Sequence, residues 1–172
     1  LRATREKPHF GVGQYNLGIV LLGQGRRKEA VEAFQMAIRY GQEAPEVARA
    51  YHNLGIVLLD DNQLGDAHAM FSEALRLVPT KQSSYVARAM TSFRMNDYRA
   101  AESDFLAGVS LSPDPAALFW LGRTREKLGD LAGAADSYRK AVALQPNMND
   151  AKERLDALAS GHPLPFLQNQ QN

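Results

Sequence analysis

Apolar residues recur three and four positions apart along most of the chain, which places them on one face of successive α-helices. The pattern predicts helices over 11–23, 27–40, 46–60, 64–77, 82–95, 98–111, 115–128 and 131–144. Between them lie residues that favour turns: Gly23 and Gly25, Asp60-Asp61-Asn62, Asn96-Asp97, and Gly129-Asp130. Gly41 is expected to form a left-handed cap at the end of the second helix. Gln42–Glu46 then reads as a longer linker, with Pro45 suited to a first helical turn. A ninth helix over 148–159 carries Met148, Ala151, Leu155 and Leu158 on one side and Lys152, Glu153, Arg154 and Asp156 on the other. Asn147 is its expected N-cap.

The pattern is itself periodic. Phe34, Phe71, Phe105 and Tyr138 stand 37, 34 and 33 residues apart. Ala30, Ala67, Ala101 and Ala134 follow the same period, as do Gly18, Gly55, Ala89 and Gly122, and Pro79, Pro113 and Pro146. A period near 34 residues marks a helical array in which each helix pair buries its apolar face against its neighbours. Glycine inside a helix costs up to about 1 kcal/mol against alanine. Its return at one place in three repeats therefore points to close approach of a second helix, where a larger side chain would overpack.

These residues resemble the tetratricopeptide repeat family, over roughly residues 11–146. The carriers are Leu17-Gly18…Ala30…Phe34…Ala37, Leu54-Gly55…Ala67…Phe71…Ala74…Pro79, Ala89…Ala101…Phe105…Pro113, and Leu121-Gly122…Ala134…Tyr138…Ala141…Pro146. Three features depart from the family pattern. The first-helix tryptophan place holds Gln14, Tyr51, Tyr85 and Leu118, Arg88 replaces a leucine, and the first linker is longer. The resemblance implies an all-α, right-handed α-solenoid of four repeats, about 11–44, 48–81, 82–114 and 115–147, with 148–159 as a capping helix. Residues 1–10, with Ala3 and Pro8 in repeat register, read as the tail of a preceding repeat. Residues 160–172 read as a disordered tail whose Leu164-Pro165-Phe166-Leu167 cluster could dock elsewhere.

In that family the first helix of each pair lines the concave face. Helical spacing then turns Tyr15, Asn16 and Ile19 inward, followed by His52, Asn53 and Ile56, by Met90, Phe93 and Arg94, and by Phe119, Trp120, Arg123 and Lys127. Leu22, Leu59, Asp60, Val86 and Glu126 share the face. Asn16 and Asn53 hold equivalent places, and a side-chain amide can bond a peptide backbone of any sequence. Phe93, Phe119 and Trp120 with Arg94, Arg123 and Lys127 form an aromatic and basic patch of the kind enriched at binding hot spots. The family's chaperone-carboxylate clamp is not expected, since its places hold Tyr15, Ile19, Ser83 and Ala87.

Composition narrows the function. The chain has 172 residues, a formal net charge of +1 and no cysteine. Its charges are interspersed, so no nucleic-acid footprint is expected. Apolar runs such as Ile19–Leu22 are too short to insert in a membrane. The four histidines show no metal-ligand spacing, the glycine pairs lack the remainder of a nucleotide loop, and no cofactor is expected. Asp60-Asp61 and Glu102-x-Asp104 read as turn chemistry and a wet helix face. The leading expectation is a non-catalytic module that binds a protein or peptide partner. The alternatives are the recognition part of a larger enzyme, such as a glycosyltransferase, and a homo-oligomer assembled through the 164–167 cluster.

Overall fold

The structure, a computed structural model, describes residues 9–160. The expected preceding-repeat tail over 1–8 and the apolar cluster at 164–167 lie outside the described residues. Within them the chain forms α1 (Phe10–Gly23), α2 (Arg27–Tyr40), α3 (Ala44–Asp60), α4 (Leu64–Leu77), α5 (Gln82–Arg94), α6 (Tyr98–Leu111), α7 (Pro115–Leu128), α8 (Leu131–Leu144) and α9 (Asn149–Ser160). This is an all-α helical solenoid. Each helix packs on the next in sequence. The odd-numbered helices α1, α3, α5 and α7 also touch one another, and the even-numbered helices make no comparable contact with each other. The array therefore curves with its odd-numbered helices on the inside.

The four turns inside the helix pairs share one device. Gly25, Asn62, Asn96 and Gly129 occupy the same repeat position, and all four have positive φ, between 59° and 81°. Glycine and asparagine are the residues that enter this left-handed region at least cost. Three later helices open on aspartate caps, in which Asp97, Asp114 and Asp130 accept from the backbone N–H of Ala100, Ala117 and Gly133.

The interior glycines are explained by aromatic rings. A Cβ on Gly18, Gly55 or Gly122 would lie 2.6, 2.7 or 2.5 Å from the ring of Phe34, Phe71 or Tyr138. Each ring is fully buried, comes from the second helix of its own pair and occupies the space beside the first helix's glycine. Position by position, the register buries the same residues in successive repeats. Leu54 and Val57 are 5% and 1% exposed, whereas their counterparts Leu17 and Val20 are 45% and 54% exposed, because no described helix precedes α1.

The structure corrects several sequence expectations. Gly41 is extended, at φ −65° and ψ 139°, rather than left-handed. It is glycine because a Cβ would meet the Ala37 carbonyl oxygen and Val47 Cγ2, both at 2.6 Å. α3 starts at Ala44, so the linker is shorter than Gln42–Glu46. α5 ends at Arg94. α9 opens at Asn149, leaving Asn147 two residues short of the first helical residue rather than at the cap. Arg154 is not on a wet face, since its guanidinium pairs with Glu126 and is largely covered. Asp104, expected on a wet face, is buried and makes a two-pronged ion pair with Arg88, at 2.7 and 2.8 Å. Glu102 is half-buried and accepts from Arg125 at 2.8 Å.

Candidate functional site

The concave face carries an open cavity of about 420 Å³ between α3 and α5. Its walls are His52, Ile56, Leu59, Val86, Ala87 and Met90, closed by Gln82, Ser83 and Asp114. Of the expected inward-facing residues, His52, Ile56 and Met90 thus meet in one apolar socket. His52 is fixed there. Its Nδ1 lies 2.9 Å from Ser84 Oγ, and its ring stands 5.6 Å from that of Phe71. Burial pushes its pKa below the ordinary histidine value, and the nearby Lys81 charge adds to the effect.

That shift has a signed consequence. A histidine depressed on folding stays neutral while the unfolded chain takes up a proton, so acidification favours unfolding. The stabilising contribution is present above the unfolded histidine pKa, about 6.5. It is lost as the pH falls from there towards the lower folded value. Urea midpoints should therefore fall between pH 7 and 5 in the wild type, and the fall should shrink in His52→Gln. An equal fall in both chains would exclude His52 as the source.

Asn53 and Asn16, equivalent in sequence, differ in the structure. The Asn53 amide nitrogen donates to Tyr15 Oη at 3.2 Å and to the Arg49 carbonyl at 3.1 Å. Only its amide oxygen is left for a ligand. Asn16 is exposed and has no hydrogen bond among the described residues, so the two amides stand in different surroundings. Tyr15 is half-buried, 6.1 Å from the Phe34 ring, with the Arg49 guanidinium 5.1 Å from its own centroid. Ile19 is exposed on the first repeat.

The aromatic patch is contiguous. Phe93 and Phe119 stand 5.4 and 6.0 Å from Trp120, both edge-on, and Phe119 is 5.6 Å from Tyr138. Edge-to-face pairs at these distances are favourable beyond the area they bury. All three are half-buried. Trp120 packs on a core shared by the third and fourth repeats, around Ala89, Phe105, Ala117 and Leu121. Arg123 lies over the Trp120 ring, 5.5 Å from its centroid. Arg94 does not belong to a free basic patch. It donates to the Leu59 carbonyl at 2.8 Å and to Asn62 Oδ1 at 2.9 Å, tying α5 to the end of α3. Lys127 is exposed near the end of α7. Glu126 accepts from Tyr138 Oη at 2.7 Å and from Arg154, so it is part of a buried triad.

Sequence reasoning missed a set of buried polar residues. Ser84, Thr91, Ser92, Asp104, Thr124 and Ser137 are all buried. Arg88 gathers part of it, donating to Asp104 and also to Ser72 Oγ at 3.1 Å. The signal was an arginine standing where the other repeats carry leucine. Among the described residues no cluster of three or more histidine, aspartate or glutamate side chains could hold a metal ion. No described helix is long and apolar enough to cross a membrane.

Tetratricopeptide repeat profiles match residues 12–80 and 86–149. The chain belongs to the tetratricopeptide repeat family. Over 86 residues it is 35% identical to an Hsp70-Hsp90 organizing protein of Triticum aestivum, covering 49% of this chain and 15% of that protein. Many solved structures share its fold, MamA and YrrB among them. MamA residues 41 to the end, from Desulfovibrio magneticus RS-1, gives a TM-score of 0.79 at 21% identity, over 88% of this chain and 84% of the other. YrrB, described as a TPR protein with an unusual peptide-binding site, gives 0.72 at 24% identity, over 83% and 72%. Members of this repeat family are typically non-catalytic interaction modules.

Proposed function

We propose that the concave face holds an extended peptide segment or a partner helix, and that the chain performs no catalysis itself. The open socket between α3 and α5 carries this reading. It is apolar, open and flanked on one side by the half-buried Phe93–Trp120–Phe119 run. Such a surface gains affinity by being ordered before binding. Ile56 and Val86 give rigid walls, while Met90 adapts to the occupant's shape. Tyr15, Asn53 and Ile19 extend the face towards α1, and Arg123 and Lys127 extend it towards α7. The tetratricopeptide relative YrrB, whose description names a peptide-binding site, supports the reading by analogy.

The test is a random peptide library displayed against the wild-type chain, with the recovered sequences made synthetically. Ile56→Asp and Met90→Asp should each weaken those peptides at least about tenfold, as loss of a central apolar contact does. Circular dichroism would confirm that both variants keep their helices. Unchanged affinity in both variants would place the binding surface elsewhere.

A further inference from the structure

The outer side of the array carries a cavity that the concave-face reading does not use. About 460 Å³ lies open between α6 and α8, over α7. Comparison of repeats shows how it arises. In the third repeat the same place is spanned by the protein itself. Arg88 of α5 lies over Tyr85, 5.9 Å from its ring centroid, and donates to Ser72 of α4 and to Asp104 of α6. One repeat on, the positions of Tyr85, Arg88, Ser72 and Asp104 hold Leu118, Leu121, Leu106 and Ser137, and all four line the cavity. The polar bridge across the groove is gone, and an aliphatic floor stands where a tyrosine and an arginine stood. Leu106 and Leu144, on opposite walls, are 39% and 51% exposed. The charged groups of the lining are already paired, Lys140 with Asp136 at 2.7 Å and Arg125 with Glu102 at 2.8 Å. The cavity therefore suits an uncharged, apolar occupant.

We infer that this cavity receives the chain's own Leu164-Pro165-Phe166-Leu167 segment, folded back across α8. The inference is independent of the concave-face reading, since the cavity lies on the other side of the array. The direction of α9 supports the occupant. α9 follows α8 after a short turn, and Arg154 in its middle reaches Glu126 near the end of α7. α9 thus runs back along α8 and ends at the level where α8 begins. The cavity opens towards that same level at Arg125, Asp136 and Ser137.

Reach and chemistry agree with this path. Phe166 is six residues beyond Ser160, the last residue of α9. At about 3.3–3.6 Å per extended residue it can stand about 20 Å away. Crossing α8, about 10 Å wide, and following half its length, about another 10 Å, needs no more than that. Residues 161–172 contain no Asp, Glu, Lys or Arg, and Leu164, Phe166 and Leu167 gather their apolar side chains within four positions. Pro163 and Pro165 favour the extended backbone that a groove between two helices accommodates. A tether this short gives an effective concentration on the order of mM, which favours the chain's own segment over that of a second copy.

A spin label tests this in the full chain. The sequence has no cysteine, so Gln170→Cys provides a single attachment point for a nitroxide. In a dilute sample the amide signals of Leu106, Val109, Leu121 and Lys140 should lose most of their intensity relative to the reduced label, while those of Ile56 and Met90 keep theirs. Phe166→Asp and, separately, Leu144→Glu should each restore the lost signals, with circular dichroism showing that both variants keep their helices. Broadening confined to α9, or left unchanged by either substitution, overturns the inference. So does broadening at Ile56 and Met90, which would seat the segment in the concave face. Broadening seen only when an unlabelled ¹⁵N chain is mixed with a nitroxide-bearing ¹⁴N chain also overturns it, and assigns the segment to a second copy.

Discussion

Phe71→Ala destabilises the chain by about 3–5 kcal/mol, the range for truncating a fully buried phenylalanine. The ring has no solvent exposure and sits against Gly55, which has no side chain to move into the space. Ala67 and Ala87 share its cluster and are equally unable to fill it. Its place in the array adds to the effect. A solenoid is held by each repeat and by the interfaces to its neighbours, and Phe71 belongs to α4, which packs on both α3 and α5. Urea denaturation followed by circular dichroism should show a much lower midpoint with retained helical content before unfolding. Leu106→Ala, at a residue 39% exposed, should move the midpoint little. A Phe71→Ala loss below about 1 kcal/mol would mean that the ring is not the wedge that separates the two helices.

Arg88→Met should cost about 3–5 kcal/mol, since removing one partner of a buried ion pair strands the other. Asp104 is 7% exposed, and the two Arg88 bonds at 2.7 and 2.8 Å are its side chain's contacts in the structure. Ser72 loses a donor at the same time. The double variant Arg88→Met, Asp104→Leu should regain most or all of the loss, because well-packed apolar residues of similar size often replace a buried pair without penalty. Arg88 stands where Leu54 and Leu121 stand in their repeats, both buried, so the site already suits an apolar pair. A neutral single variant would show that water reaches Asp104. A double variant as unstable as the single would show that the pair sets the geometry between α5 and α6.

Much of this was legible in the sequence. The fold rests on markers repeated in register, and repetition makes each weak signal strong. Phe71 above Gly55 could be read because a glycine inside a helix needs a large neighbour to justify it. Helix ends were legible to within a residue where turn residues cluster, as at Asp60-Asp61-Asn62 and Asn96-Asp97. Gly41 was misread because glycine has two uses, left-handed backbone and close approach, and the sequence does not say which applies. Asp104 was misread because helical spacing marks a charged residue as outward, while its partner Arg88 lies sixteen residues away on another helix. Arg94 and Asn53 were correctly placed on the odd-numbered helices. Their hydrogen bonds to Leu59, Asn62, Tyr15 and Arg49 depend on how repeats stack, which periodicity alone does not fix.

The concave face as the working surface is the central claim. It is tested most directly by two-dimensional ¹⁵N–¹H spectra of the labelled chain, titrated with a peptide recovered from the library. The account predicts that the largest shift changes fall on α3, α5 and α7, at Asn53, Ile56, Met90, Trp120 and Arg123, while α4, α6 and α8 stay nearly still. Changes concentrated on the outer faces of α4, α6 and α8, with the Ile56 and Met90 signals unmoved, would contradict it.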